Sequence, residues 1–234
     1  MRHHALTTRK GGVIEDRSRR RAFGVIWHAY RRCPLPARLR VLGRFVTCPY
    51  DRFLGFFPPA GQILDVGCGD GLLPLLLGLQ PEPERRTYVG VDVAQNKIAI
   101  ARRARIDNAE FLLGDISTQP SDSYDCVSII DVLYLLPISR WAQFLDHSVR
   151  VLRRSGVLIV KEVANTPRWK YWLAYLEEIL AIKVVRMTRG DSPHFESVGV
   201  YRTSIEAAGA DVFRIQRIDA RRPHAHVVFL ARKR

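Results

Sequence analysis

Paired cysteines are missing. The four that occur, Cys33, Cys48, Cys68 and Cys126, form no C-x-x-C pair and no spacing suited to a metal site. No disulfide framework and no metal centre is therefore expected, and a reduced, cytoplasmic setting is the simplest one. Long hydrophobic runs are missing too. No stretch reaches about 18 apolar residues, so no membrane-crossing helix is expected. The opening MRHHALTTRKGG lacks the apolar core of a secretory signal. Acid is scarce at the front: residues 1–50 hold 12 basic and 2 acidic side chains, against 25 and 21 in the rest. Lysine is scarce throughout, 6 against 31 arginines.

What is present is globular. With 234 residues, 47% apolar and 26% charged, the chain suits one domain with about fifty residues to spare. Residues 1–16 read as a polar arm. Phe23, Ile26, Trp27 and Tyr30 then recur at helical spacing, and after Pro34 and Pro36 a second helix aligns Leu35, Leu39, Leu42 and Val46. Past the PPAG turn at 58–61 the rhythm changes to short apolar runs alternating with helical stretches. Strands are expected at QILDV, TYVGVDV, AEFLLGD, YDCVSII and GVLIVKEV. Nearly continuous apolar strands alternating with helices imply a parallel sheet covered on both faces. The last two strands, DVFRIQRID and HAHVVFLA, are joined only by ARRP, too short for a parallel crossover, and must pair antiparallel. The expected fold is α/β: a doubly wound, mostly parallel seven-stranded sheet with an antiparallel C-terminal hairpin strand and an N-terminal helical extension. Residues 1–57 read as a basic arm and helical extension, and 58–234 as the main domain, with a helical insert over roughly 164–198.

Chemistry centres on ILDVGCGDGLL, residues 63–73. Gly67, Gly69 and Gly71 lie between a strand and a helix, where a ligand can approach the backbone closely. The spacing is G-x-G-x-G; the dinucleotide fingerprint would need glycine where Leu72 stands. Asp65, Asp92, Asp115 and Asp131 fall at the carboxyl ends of successive strands, which in such sheets border one crevice.

Residues 58–234 resemble a class I, seven-stranded S-adenosylmethionine-dependent methyltransferase with a Rossmann-like fold. The resemblance implies that Asp65 and the backbone at Gly67, Gly69 and Gly71 face the methionine part of the cofactor. It gives the ribose hydroxyls to Asp92, with Val93 beside it, the adenine to Asp115 and Ile116, and the methyl end to Ile130 and Asp131. The terminal hairpin also matches that family. IIDVLYLLP and VLRRSGVLIVKEV are loosely similar to the small-molecule and lipid group that includes ubiquinone and menaquinone C-methyltransferases.

The sulfonium of such a cofactor is already electrophilic, so the protein chiefly aligns an acceptor and excludes water. Asp131, Tyr134, Glu162 and His194 are the candidate catalytic groups, histidine being the residue type that exchanges protons near neutrality. The NPPY-type tetrapeptide of methyltransferases acting on exocyclic amines of bases or on glutamine is absent. An apolar or lipid-like small-molecule acceptor is expected. The insert, with Trp169, Trp172 and Tyr175, reads as a lid, and residues 17–46 read as open to peripheral membrane contact. The alternative is an RNA methyltransferase whose basic front holds phosphates. A scaffold without catalysis is the third class, disfavoured by the intact glycines and acids.

Overall fold

A computed structural model describes residues 16–166, 194–220 and 224–234. The arm at 1–15 and the insert helix expected within 164–198, with Trp169, Trp172 and Tyr175, lie outside the described residues.

Two helices come first, α1 (Asp16–Ala29) and α2 (Leu35–Thr47). Pro34 and Pro36 set the break between them: Pro36 sits in the first turn of α2, where a missing N–H costs nothing. Strand β1 (Gly61–Val66) leads through the glycine-rich turn into α3 (Leu72–Leu77). Then follow β2 (Arg86–Asp92), α4 (Gln95–Ala104), β3 (Ala109–Leu113), β4 (Tyr124–Ile130), α5 (Trp141–Arg150) and β5 (Leu152–Val163). Helix α6 (Val198–Ala207) and the hairpin β6 (Ala210–Arg217) and β7 (His226–Lys233) complete the described elements.

The sheet order is β3-β2-β1-β4-β5-β7-β6. All neighbours pair parallel except β5–β7 and β6–β7, so the antiparallel end read from the short link is found. The order reverses between β1 and β4, and a crevice outside the strand ends at such a reversal is where ligands bind in this architecture.

Because side chains alternate across a strand, the apolar strands feed two cores. Ile63, Cys126, Ile159 and Val228 face one way, under α1, α2 and α3. Leu64, Val127, Leu158 and Val227 face the other, under α5 and α6, where Trp141 stacks on Tyr201 at 5.1 Å. The N-terminal helices belong to the first of these cores: Ala22, Ile26, Tyr30, Val41, Leu42 and Phe45 are buried in it together with Ile63 and Leu72. Burial of each large apolar side chain there contributes about 1.5–3 kcal/mol.

The facing of α2 corrects the expected stripe. Leu42 is buried, but Leu35, Leu39 and Val46 are exposed, and Ala37, Val41 and Phe45 take the inner face instead. Electrostatics turns the helix. Arg40 and Arg44, one turn apart, reach inward to Asp70 and Asp131, at 2.6 Å in each case. On α1 likewise, Ile26 and Tyr30 are buried while Phe23 and Trp27 are exposed.

Candidate functional site

The glycine-rich turn is built from residues with left-handed backbone: Gly67, Gly69 and Gly71 have φ of 72°, 56° and 81°. Two of the three also lack room for a side chain. A Cβ at Gly67 would stand 2.5 Å from Val132 Cγ2, and one at Gly71 would stand 2.7 Å from Phe111. Gly69 is different: its nearest neighbour would be the Lys97 side chain at 4.0 Å, so the space above it is open. The turn is tied to β2 by Gly67 and Cys68, whose N–H groups donate to the Val91 carbonyl. Cys68 is buried and its thiol is pushed up by burial, so it is packing and not a nucleophile. Its sulfur fills the place a side chain at Gly90 would need, 2.8 Å away.

Asp92 closes β2 with its carboxylate fixed by two backbone donors. Gly69 N donates at 2.9 Å and Ala94 N at 2.8 Å, one to each oxygen. A carboxylate accepts about four hydrogen bonds, so each oxygen keeps capacity for a further donor. Val93 and Leu113, 60% and 51% exposed, flank this position, Leu113 being the register partner of Asp92. Asp115 is exposed and accepts from Ser117 N at 2.9 Å, capping a short helical turn. Ile116 is buried beneath it in the α5-side core.

Asp65, at the end of β1, is buried and accepts from Ser128 Oγ at 2.7 Å. Burial, with the Asp92 charge adding to it, pushes its carboxyl up to about 7, although the Ser128 hydrogen bond opposes the shift.

Asp131 follows β4 with φ of 56°, a left-handed value uncommon for a residue with a side chain. Lys161 Nζ donates to both its oxygens at 2.6 and 2.7 Å, and Arg44 pairs with it from α2. Lys161 is fully buried. Burial alone would raise the Asp131 carboxyl, but the two cations prevail and hold it well below the usual carboxylate range. It is therefore a structural anion whose oxygens are both engaged, and it is poorly placed to take a proton.

Glu162 points to the opposite face of β5. Its Oε1 accepts from Val132 N at 3.0 Å and Leu133 N at 2.8 Å, which fixes the loop after β4. Its Oε2 is buried with no hydrogen-bond partner among the described residues, and burial with the nearby Asp131 charge pushes the carboxyl up to about 8. Tyr134 is buried, its ring 4.8 Å from Phe195, and its carbonyl accepts from His194 N at 2.7 Å. His194 and Tyr134 are thus brought together, and Tyr134, Val163 and Phe195 form a small apolar cluster of their own. Ile130 packs in the α2-side core, and Arg44 donates to its carbonyl at 3.4 Å.

Sequence reasoning missed the partners of these residues: Arg40, Arg44, Asp70, Ser128 and Lys161. Asp70 also accepts from Tyr30 Oη, through its carbonyl, at 2.7 Å. A signal existed for Lys161 alone, a single cation inside the apolar run GVLIVKEV. An unpaired charge would not be buried in such a strand, so a carboxylate partner was required.

Known proteins share this fold and part of this sequence. A family described as a methyltransferase domain matches residues 63–156. The ubiquinone biosynthesis O-methyltransferase of Rickettsia akari is 28% identical over 137 residues, which cover 57% of this chain and 51% of that protein. The (S)-coclaurine N-methyltransferase of Thalictrum flavum subsp. glaucum is 27% identical over 115 residues, 44% of this chain and 29% of its own length. The chain thus spans about half, or less, of the length of these curated relatives. Among solved structures, an S-adenosylmethionine-dependent methyltransferase from Mesorhizobium loti superposes with a TM-score of 0.62 at 16% identity, covering 80% of this chain and 98% of that one. The magnesium protoporphyrin IX methyltransferase of Synechocystis PCC 6803, solved with bound SAH, gives 0.56 at 18% identity, covering 95% and 85%.

Proposed function

We propose, for a chain that carries a class I methyltransferase domain, that it transfers the methyl group of S-adenosylmethionine to a small, apolar or lipid-like acceptor. The open space over Gly69 carries the cofactor part of this reading. Among the described residues nothing fills that space, while both neighbouring glycines are crowded, so a ligand fits there. Asp92 has its plane set by two N–H groups and spare lone pairs toward the crevice, as a ribose diol requires. Val93 and Leu113 offer exposed apolar surface for a purine, and Asp115 an acceptor for its amino group. Asp65 and the Gly67–Gly71 backbone are left for the amino-acid end. The cofactor supplies the electrophilic methyl; the chain's residues hold it, orient the acceptor and keep water out.

The acceptor end is bounded by Ile130, Asp131 and the cluster of Tyr134, Val163 and Phe195, a mostly apolar wall. An apolar or aromatic acceptor matches it better than a phosphate-rich one. Where the acceptor must lose a proton, His194 beside Tyr134 is the group to receive it, since Asp131 is neutralised by Lys161 and Arg44. Glu162, which holds the Val132 and Leu133 N–H groups, is a positioning residue. Peripheral membrane contact through residues 17–46 fits an acceptor of this kind.

The test is a transfer assay with tritium-labelled S-adenosylmethionine against fractionated cell extract. Label should enter the organic-soluble, small-molecule fraction. Label in RNA would replace this reading with the RNA methyltransferase that the basic front end suggests.

A further inference from the structure

The outer face of the α1–α2 hairpin carries side chains that the described residues leave uncovered. On α1, Phe23 and Trp27, one turn apart, are 45% and 43% exposed. On α2, Leu35 and Leu39, again one turn apart, are 55% and 56% exposed. Arg38, one turn on from Leu35, has its guanidinium 3.6 Å from the centre of the Trp27 ring. Arg38 therefore bridges the two helices and links the exposed pair on α1 to the exposed pair on α2.

The border of that patch is cationic. Arg19, Arg20, Arg21, Arg31 and Arg32 are all exposed. Between residues 16 and 52 there are ten arginines, of which Arg40 and Arg44 turn inward to Asp70 and Asp131, and the only acids in that stretch are Asp16 and Asp51. An apolar centre inside an arginine rim suits one kind of surface. At an anionic bilayer, rings and leucines enter the headgroup–acyl boundary while guanidinium groups meet lipid phosphates. A nucleic acid would engage the rim and leave the apolar centre in water. A second copy of this chain, meeting it by two-fold symmetry, would bring the same arginines against each other.

We propose that the outer face of the α1–α2 hairpin docks the protein on an anionic lipid bilayer. The inner face of α2 fixes the orientation, because Arg40 holds Asp70 of the glycine-rich turn and Arg44 holds Asp131 at the end of β4. Docking by the outer face thus brings the loops at the carboxyl edge of the sheet, which the inner face of α2 holds, to one helix diameter, about 10 Å, from the membrane surface. A bilayer-dissolved acceptor then meets the site at the interface, without first passing into bulk water. This inference goes beyond methyl transfer and is tested separately from it.

The experiment is flotation of the full chain with vesicles of phosphatidylcholine, with and without phosphatidylglycerol, alongside light scattering and RNA filter retention. The native chain should float with the phosphatidylglycerol vesicles, more weakly as salt screens the arginines, and barely with phosphatidylcholine alone. Leu35→Ser combined with Leu39→Ser should lower vesicle partition at least about tenfold, since two leucines lose their burial in lipid. Thermal unfolding should be unchanged, because both side chains are exposed. Equal flotation of native and variant chains overturns the proposal. So does absence of vesicle binding, whether accompanied by steeply salt-dependent RNA retention or by a dimer that the same variant dissociates. Flotation that persists in a chain with no transferase activity would overturn the catalytic reading and leave the docking surface standing.

Discussion

Asp65 gives the cofactor site a pH dependence that can be worked out in advance. Its carboxyl is pushed up to about 7 by burial, so near neutrality it is half ionised in the free protein. If it faces the ammonium of the cofactor's amino-acid end, as proposed, only the ionised form offers the charge-assisted interaction. About two pH units below that value, roughly 1% of the molecules carry the anion. At about 1.4 kcal/mol per unit, apparent affinity then loses up to about a hundredfold, or about 2.7 kcal/mol. Calorimetry with S-adenosylhomocysteine, which keeps the ammonium and lacks the sulfonium charge, would follow this between about pH 5 and 8. Affinity should rise close to tenfold per unit at first and level off above neutrality. Asp65→Asn keeps an oxygen to accept from Ser128 Oγ, and its affinity should be weak and flat with pH. A native affinity that does not change across the range would refute the reasoning. An equal slope in Asp65→Asn would assign the titration to another group.

Asp92→Ala should weaken cofactor binding at least about tenfold by calorimetry, because charge-assisted hydrogen bonds contribute roughly 1.5–3 kcal/mol each. Gly69→Val should abolish binding by filling the open space while the protein still folds, at a backbone cost of about 1–2 kcal/mol for its left-handed φ; native affinity would remove the assignment. Lys161→Met strips Asp131 of its buried partner and should cost about 3–5 kcal/mol in denaturant unfolding; a neutral effect would mean that Arg44 suffices. Stability should peak in mildly acidic solution in pH-resolved thermal melts. Asp65 and Glu162, raised to about 7 and about 8, keep their protons longer when folded, so stability falls as pH climbs through those values. His226, lowered to about 2 by burial and by Lys161, resists protonation when folded, and Asp131 resists protonation through its cations, so stability also falls toward acid pH. A maximum above about pH 9 would contradict these directions.

The parallel strands were legible because burial on both faces forces runs such as ILDV and YVGV, which cannot pass for surface. The antiparallel end was legible from loop length alone, ARRP being too short for a crossover. Of the candidate site, the backbone part could be read: glycines at fixed spacing state a conformation, and Gly67, Gly69 and Gly71 all adopt positive φ. What could not be read was pairing. Arg44 and Asp131 are 87 positions apart, Arg40 and Asp70 thirty, and nothing local marks which arginine finds which acid. The orientation of α2 follows from that pairing. Hydrophobic periodicity alone favoured the face of Leu35, Leu39, Leu42 and Val46, of which only Leu42 is buried, whereas two ion pairs with partly or fully buried acids select the face of Ala37, Val41 and Phe45.

That inversion has a physical cost that bears on function. Exposing Leu35 and Leu39 forgoes burial of about 1.5–3 kcal/mol each, and the exposed arginine-rich rim adds nothing to the core. The ion pairs offset part of this, since Asp131 would be a ruinous buried charge without Arg44 and Lys161. Arg40, by contrast, is half-buried, and its pair with Asp70 is of the kind that contributes least when solvent can reach it. A chain selected for folding alone could place polar residues at 35 and 39 and keep both arginines. Leucines at those positions, beside an arginine laid on Trp27, make sense when the outer face has its own contact to make. On the proposed docking, the two faces of α2 divide the work: the inner one holds Asp70 and Asp131 in the loops at the carboxyl edge of the sheet, and the outer one carries the contact with the bilayer.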